Sequence, residues 1–365
     1  MGGADATGGR WLRLAALGIA TVFLLLGLAA AVQAFRGGFS PDFLSYWAAG
    51  RMAAGGDAAS AYDIARHHAI EAAAVPRAGQ LPFAYPPTFL LLLLPFGLLP
   101  FGIAFAAWVA ITLMLYLIAA WRLIDLRLAI AQAAAAANLV IGQNGFLTAA
   151  IFIRGTALIE RRPLLAGAVL GLLSVKPQLA LLLPVALIAG REWRALLGAV
   201  LSSVTLLGLA FLLFGGGAFD GFRAMAGQSA QWLSGSRWPW GELASPFALL
   251  RFFGIAAAPA LAGHAAIALA ASAATAWAWA RKAEQRVPVL AAATLLVPPY
   301  LFTYDGLLLT VPLAWAFRHR PGAGLAIWLL SLLPLAGYFL PWPNAIPIAA
   351  GLALWLLLRP SPHQV

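Results

Sequence analysis

Few residues in this chain are of a type that does chemistry. Its 365 residues include 12 Asp and Glu and no Cys, which excludes disulfides, thiolate nucleophiles and Cys-ligated metals. Asp42 stands in Ser40-Pro41-Asp42-Phe43. It reads either as a helix cap or loop acid, or as a carboxylate held as general base, within about 2.6–3.2 Å of the proton it takes. Phe43, Tyr46 and Trp47 follow at helical spacing and would pin such a base. Asp57 follows Gly55-Gly56 and reads as a turn. Asp63, next to Tyr62, is a candidate second acid. Lys176 interrupts a long apolar run, where an ammonium is costly unless paired or wet. It either snorkels to the headgroups or meets an anionic substrate such as a lipid phosphate. Asp305 pairs with Lys176 or Arg251, or binds a head group. Gln143 and Asn144 suit sugar hydroxyls, or close a tight Asn-Gly turn. His67 and His68 are adjacent, point in different directions and read as solvated. No third ligand stands at metal spacing, so no metal site is expected. No phosphate loop or zincin motif occurs.

These residues must be positioned by membrane elements. Hydrophobic residues make up 63% of the chain and charged residues 10%, against roughly 25% charged in soluble domains. There is too little polar surface for soluble domains or for disorder. The net charge of +11 follows from Arg and Lys collecting in short cytoplasmic loops. No aromatic-interleaved basic groove appears, so nucleic acid is not an expected partner.

The expected fold is an all-α polytopic membrane bundle of about eleven or twelve membrane segments, one domain over residues 1–365, with both termini inside. The first span runs from Leu14 to Val32. A structured outer loop follows over 35–85, with one interfacial helix from Phe43 and a second short helix over Ser60 to Val75, with Ser60 as its cap. Tyr85-Pro86-Pro87 stiffens the entry to the next span. Three apolar hairpins then carry Arg at their bases and polar tips: Gly142-Gln143-Asn144-Gly145, Ser174-Val175-Lys176-Pro177-Gln178, and Phe302-Thr303-Tyr304-Asp305. Their legs span roughly 15–22 Å, short of the roughly 30 Å hydrocarbon core. The tips therefore belong inside protein or along a cavity, on the same side as Asp42. A second outer loop, 215–242, holds Phe222, Trp232, Trp238 and Trp240, an interfacial belt in type. Arg251 lies on a short half-buried segment beyond it.

Convergent polar tips suit an enzyme. Broken helices also suit a transporter or flippase for a lipid-linked or anionic substrate, although the structured 35–85 loop is unusual for a carrier. A noncatalytic scaffold would not need Asp42, Lys176 and Asp305 on one side.

The order and spacing of the motifs carry a resemblance. Asp42-Phe43 with Tyr46-Trp47-Ala48-Ala49-Gly50 is followed by Tyr62 and by Phe83-Ala84-Tyr85-Pro86-Pro87. Gly142-Gln143-Asn144-Gly145, Lys176-Pro177-Gln178 and Tyr304-Asp305 come after. The sequence resembles glycosyltransferase family 87, membrane mannosyl- and arabinosyltransferase-like proteins of the GT-C superfamily. The resemblance implies an inverting transfer of a mannose- or arabinose-like sugar from a polyprenyl-phosphate donor. The acceptor would be a glycolipid or cell-envelope glycan on the outer face of a bacterial inner membrane, with no metal or cofactor. Asp42 would be the catalytic base, and Lys176, helped by Arg251, would neutralise the phosphate. Tyr46, Asp63, Tyr85, Gln143, Asn144, Gln178, Tyr304 and Asp305 would contact substrate. The paired acids of some related transferases are missing here, since Pro41 and Phe43 flank Asp42.

Overall fold

The computed structural model describes residues 3–234 and 240–359; Trp238 lies outside them. Among the described residues the regular structure is helical, apart from an isolated antiparallel bridge between Leu243 and Phe302. In chain order come α1 (Gly3–Phe35), α2 (Phe43–Ala54), α3 (Ile64–Ala74), α4 (Pro87–Gly97) and α5 (Phe101–Ala120). Next are α6 (Leu126–Ile130), α7 (Ala133–Ile141), α8 (Gly145–Leu158), α9 (Pro163–Gly171) and α10 (Leu183–Ala189). Then follow α11 (Trp193–Ser234), α12 (Pro246–Phe252), α13 (Ala257–Ala280), α14 (Arg286–Thr294), α15 (Thr310–His319), α16 (Pro321–Leu332) and α17 (Ile346–Leu358).

Four of these are long and apolar enough to cross a bilayer: α1, α5, α11 and α13. Six apolar helical stretches are shorter, among them α4, α8 and α17. Large apolar side chains face outward on the long helices, with Leu28 62%, Leu212 80% and Leu269 72% exposed. That outward face is natural only where the solvent is lipid. The chain is an all-α, multi-pass membrane protein.

The three hairpins have the form α7–α8, α9–α10 and α14–α15. Two of them break at their tips into 3₁₀ turns, over Leu172–Val175 with Pro177–Ala180, and over Thr303–Leu309. The Thr303–Leu309 turn is buried almost throughout, and the other tip is buried at Leu173, Val175, Lys176 and Leu179, as irregular backbone at membrane depth requires.

Two expectations need correction. The helix from Phe43 does not lie on the surface: α2 is buried along nearly its whole length against α4 and α5. Its apolar stripe meets Phe89, Phe101, Phe105 and Trp108 instead of lipid. The segment from 215 is not a loop. Gly215, at φ 70°, only kinks α11, which stays helical to Ser234.

At the end of the bundle where the hairpins have their bases, several basic residues meet carboxylates. Arg127 pairs with Asp125 at 2.7 Å, Arg13 approaches the same carboxylate at 3.9 Å, and Arg286 meets Glu160 at 3.0 Å.

Candidate functional site

The Gly142–Gly145 tip explains how two amides come to face the site. Gly142 ends α7 in the left-handed region, φ 68°, with its N–H on the Asn138 carbonyl. A Cβ there would run into the Phe105 and Phe43 side chains. Gly145 opens α8 against the Tyr304 carbonyl and the Asn138 side chain, and no Cβ fits between them. The Asn138 amide stitches the tips together: Gly145 N–H donates to its Oδ1 (2.7 Å), and its Nδ2 donates to the Tyr304 carbonyl (3.0 Å). Gln143 and Asn144 are thereby held between two glycines that turn the chain sharply.

Their side chains do not close the turn on itself. The Asn144 side chain makes no cap bond. Lys176 Nζ donates to Asn144 Oδ1 (3.1 Å), and Asn144 Nδ2 donates to the Tyr46 hydroxyl (3.2 Å). Tyr46 donates to Gln143 Oε1, and Gln143 Nε2 donates to Asp42 Oδ2 (2.9 Å). Every bond in this row points from the lysine toward the Asp42 carboxylate. Such rows polarise cooperatively in a low-dielectric interior. Tyr85 O–H sits beside both Tyr46 Oη (2.7 Å) and Gln143 Oε1 (3.2 Å).

Lys176 does not snorkel. It is 1% exposed and lies 2.5 Å from Asp305 Oδ1. Its ammonium also faces the Tyr304 ring at 4.5 Å and the Tyr85 ring at 5.8 Å, where the aromatic faces favour a cation. The second Asp305 oxygen accepts the Phe302 N–H at 3.2 Å. Asp305 is thus the counter-ion of Lys176 and a brace for its own turn.

Asp42 precedes α2, but its carboxylate makes no cap bond. It turns to Gln143 instead. Burial pushes the carboxyl above the usual carboxylate range, and the Gln143 donation pulls it part of the way back. A desolvated carboxylate is a stronger base than one in water, which suits it to accept a proton.

Two cavities meet at this residue. The smaller, about 160 Å³, is lined by Asp42, Tyr46, Tyr85, Gln143, Lys176 and Gln178, with Tyr300, Phe302 and Tyr304. The larger, about 540 Å³, has Trp240, Glu242, Phe252 and Trp342 in its wall. Asp42, Phe302 and Tyr304 line both and form the partition. The Phe302 and Tyr304 rings are stacked at 5.2 Å. Glu242 is exposed at the larger cavity. Partial desolvation, and then the Asp42 charge, raise its carboxyl above the ordinary value.

A sequence profile described as glycosyltransferase family 87 matches residues 83–302. The chain belongs to glycosyltransferase family 87. No curated protein and no solved structure matches it. In this family 87 chain the matched stretch holds Tyr85, Gln143, Asn144, Lys176, Gln178 and Glu242, while Asp42, Tyr46, Tyr304 and Asp305 stand outside it.

Two expected substrate contacts lie elsewhere. Asp63, not Ser60, caps α3, accepting from the Ala65 and Arg66 N–H groups at 3.0 and 3.1 Å. Arg251 donates to the Ile255 carbonyl at 2.9 Å and packs on the Trp240 ring at 5.0 Å, so it supports the larger cavity's wall and lines neither cavity. His67 is not solvated. It is 1% exposed, with Nε2 at 3.1 Å from Ser45 Oγ and 3.4 Å from the buried Glu71 carboxylate. Glu71 also accepts the Leu81 N–H at 3.3 Å, fixing the segment that walls the smaller cavity. Among the described residues no cluster of three metal-binding side chains occurs.

Glu242, Trp342 and the Ser45–His67–Glu71 group are the site residues that sequence reasoning missed. The Pro341-Trp342-Pro343-Asn344 turn held the available signal. Asn344 Nδ2 donates to Thr303 Oγ1 (2.8 Å) and to the Glu242 carbonyl (3.3 Å), joining three distant segments at the larger cavity.

Proposed function

We propose that this glycosyltransferase moves a mannose- or arabinose-like sugar from a polyprenyl-phosphate donor to a hydroxyl of a glycolipid or cell-envelope glycan, on the outer face of a bacterial inner membrane. The observation that carries the reading is the place of Asp42 between a small polar cavity containing Lys176 and a larger aromatic one. The donor's sugar phosphate enters the smaller cavity. An ammonium has three donors, and Lys176 spends two on Asn144 and Asp305. The third is available to a phosphate oxygen. The acceptor lies in the larger cavity, with its hydroxyl at Asp42.

Asp42 takes the hydroxyl proton as the acceptor oxygen attacks the anomeric carbon. The bond from that carbon to the phosphate oxygen breaks on the opposite face, and its electron pair leaves with the polyprenyl phosphate. The result is inversion, with no sugar bound to the enzyme. The leaving phosphate is already an anion, so stabilisation of its growing charge by Lys176 matters more than its protonation. No metal is invoked.

The test is transfer by purified protein in liposomes. A panel of labelled polyprenyl-phosphate sugars is supplied with a membrane lipid extract, beside Asp42→Asn. The expected result is a labelled product with the natural protein, and a loss of about 10²–10⁴-fold in the variant. Transfer that survives in Asp42→Asn removes that residue as the base.

A further inference from the structure

The opposite end of the bundle holds a cavity of about 450 Å³ between α5, α8, α14 and α15. Arg122, Arg154, Arg318 and His319 stand around it, with Glu284 as the acid in its lining. Apolar side chains, Ile153, Val311 and Trp315, complete the wall. We propose that this cavity binds the phosphate head group of an anionic membrane phospholipid.

What sets the basic residues here apart is that they gather around one cavity. At the same end, Arg13, Arg127 and Arg286 each meet a carboxylate. Among the described residues, Arg122, Arg154 and Arg318 make no ion pair. Arg154 interrupts the apolar face of α8, a place where a guanidinium is expensive unless something polar meets it. The groups are also held in place. Arg318 Nη2 donates to the Leu123 carbonyl at 2.7 Å and reaches that of Arg122 at 3.3 Å. The His319 ring stacks on Trp315 at 4.7 Å and donates from Nδ1 to the Trp315 carbonyl at 2.9 Å. Its Nε2 is left for another partner.

The chemistry selects a phosphate ester. Guanidinium forks match phosphate oxygens bidentately, and basic pockets between helices at this side of a membrane suit anionic head groups. The apolar wall favours a lipid over a free ion, since acyl carbons can cover Ile153 and Trp315. Arginines placed only by the positive-inside rule need neither a cavity nor an apolar wall. A lipid here also bridges α8 and α15, the two helices that follow the Asn144 and Asp305 tips.

The experiment uses the full chain, delipidated in neutral detergent and titrated with phosphatidylglycerol or phosphatidylcholine, with bound lipid read by native mass spectrometry. Phosphatidylglycerol is expected to bind in preference to phosphatidylcholine. Arg122→Gln/Arg154→Gln weakens its binding by about tenfold or more. Arg161→Gln/Arg162→Gln, the same charge loss outside the cavity, changes it by less than about twofold. Ala157→Phe, which fills the cavity and keeps every charge, weakens binding as the double Gln variant does and keeps the result readable if that variant misfolds. Equal loss in the two double Gln variants, no preference for phosphatidylglycerol, or full displacement by millimolar inorganic phosphate would each overturn the proposal.

Discussion

The two cavities that share Asp42 are built on different principles. The smaller is walled by polar groups that already satisfy one another: Lys176, Asn144, Tyr46 and Gln143 form one directed row of hydrogen bonds. The larger is walled by Trp240, Phe252 and Trp342, which offer ring faces more than fixed donors. A pre-satisfied polar pocket is rigid and demands a specific shape and charge. An aromatic pocket tolerates variety, because stacking on apolar sugar or lipid faces needs less exact geometry. Under the proposed division, the difference teaches that selectivity for shape and charge is built on the donor side, and tolerance on the acceptor side.

The sharpest way to break this contrast is to remove one member of the buried Lys176–Asp305 pair. Leaving its partner unpaired in the interior costs about 3–5 kcal/mol. Lys176→Met and Asp305→Asn are each expected to lower the melting temperature strongly in detergent. Lys176→Met/Asp305→Leu, which removes both charges, should melt closer to the natural protein and still lack transfer. A double variant that transfers sugar would show that the smaller cavity needs no cation.

Next comes Gln143→Leu. As the proposed base, Asp42 would work only when deprotonated, so activity should fall as pH drops through its pKa. Burial already places that limb above the ordinary carboxylate range. Loss of the Gln143 donation removes the group that holds it down, so the acidic limb of kcat/KM should move to higher pH. At high pH the rate should fall by about tenfold or less, the worth of one hydrogen bond. A limb that stays in place, or moves down, would separate Asp42 from the measured titration.

On the other side of the partition, Trp240→Ala should raise KM for the acceptor by about tenfold, the scale of one lost aromatic contact. KM for the donor should stay nearly constant. A donor effect as large as the acceptor effect would erase the division between the cavities.

Much of the polar cavity was legible in the sequence. Lys176 and the Gly142–Gly145 tip stand out because polar groups inside short apolar hairpins must be met by protein. The larger cavity was less legible. Glu242 and Trp342 come from turns with no periodicity, and it is the tie through Asn344 that fastens their segments to the site. The burial of α2 was misread because an apolar stripe has the same spacing whether it meets lipid or Phe105 and Trp108. His67 was misread for a related reason, since its environment is made by Ser45 and Glu71 and not by its neighbour His68. Arg251 was grouped with Lys176 through the family resemblance, but short-range geometry turns it to the Ile255 carbonyl.

The smallest expected effect tests where the site ends. Asp63 shares the first outer segment with Asp42 and is equally acidic in type, yet its Oδ1 is occupied by the Ala65 and Arg66 N–H groups. It lines neither cavity that meets at Asp42. Asp63→Ala should cost about 1 kcal/mol of stability, as the loss of a helix cap does, with transfer kinetics unchanged at temperatures where the protein stays folded. Asp63→Ser, which can still cap, should recover most of that loss. If Asp63→Ala instead depresses kcat while melting normally, then α3 belongs to the catalytic machinery, and the boundary drawn around the two cavities is too narrow.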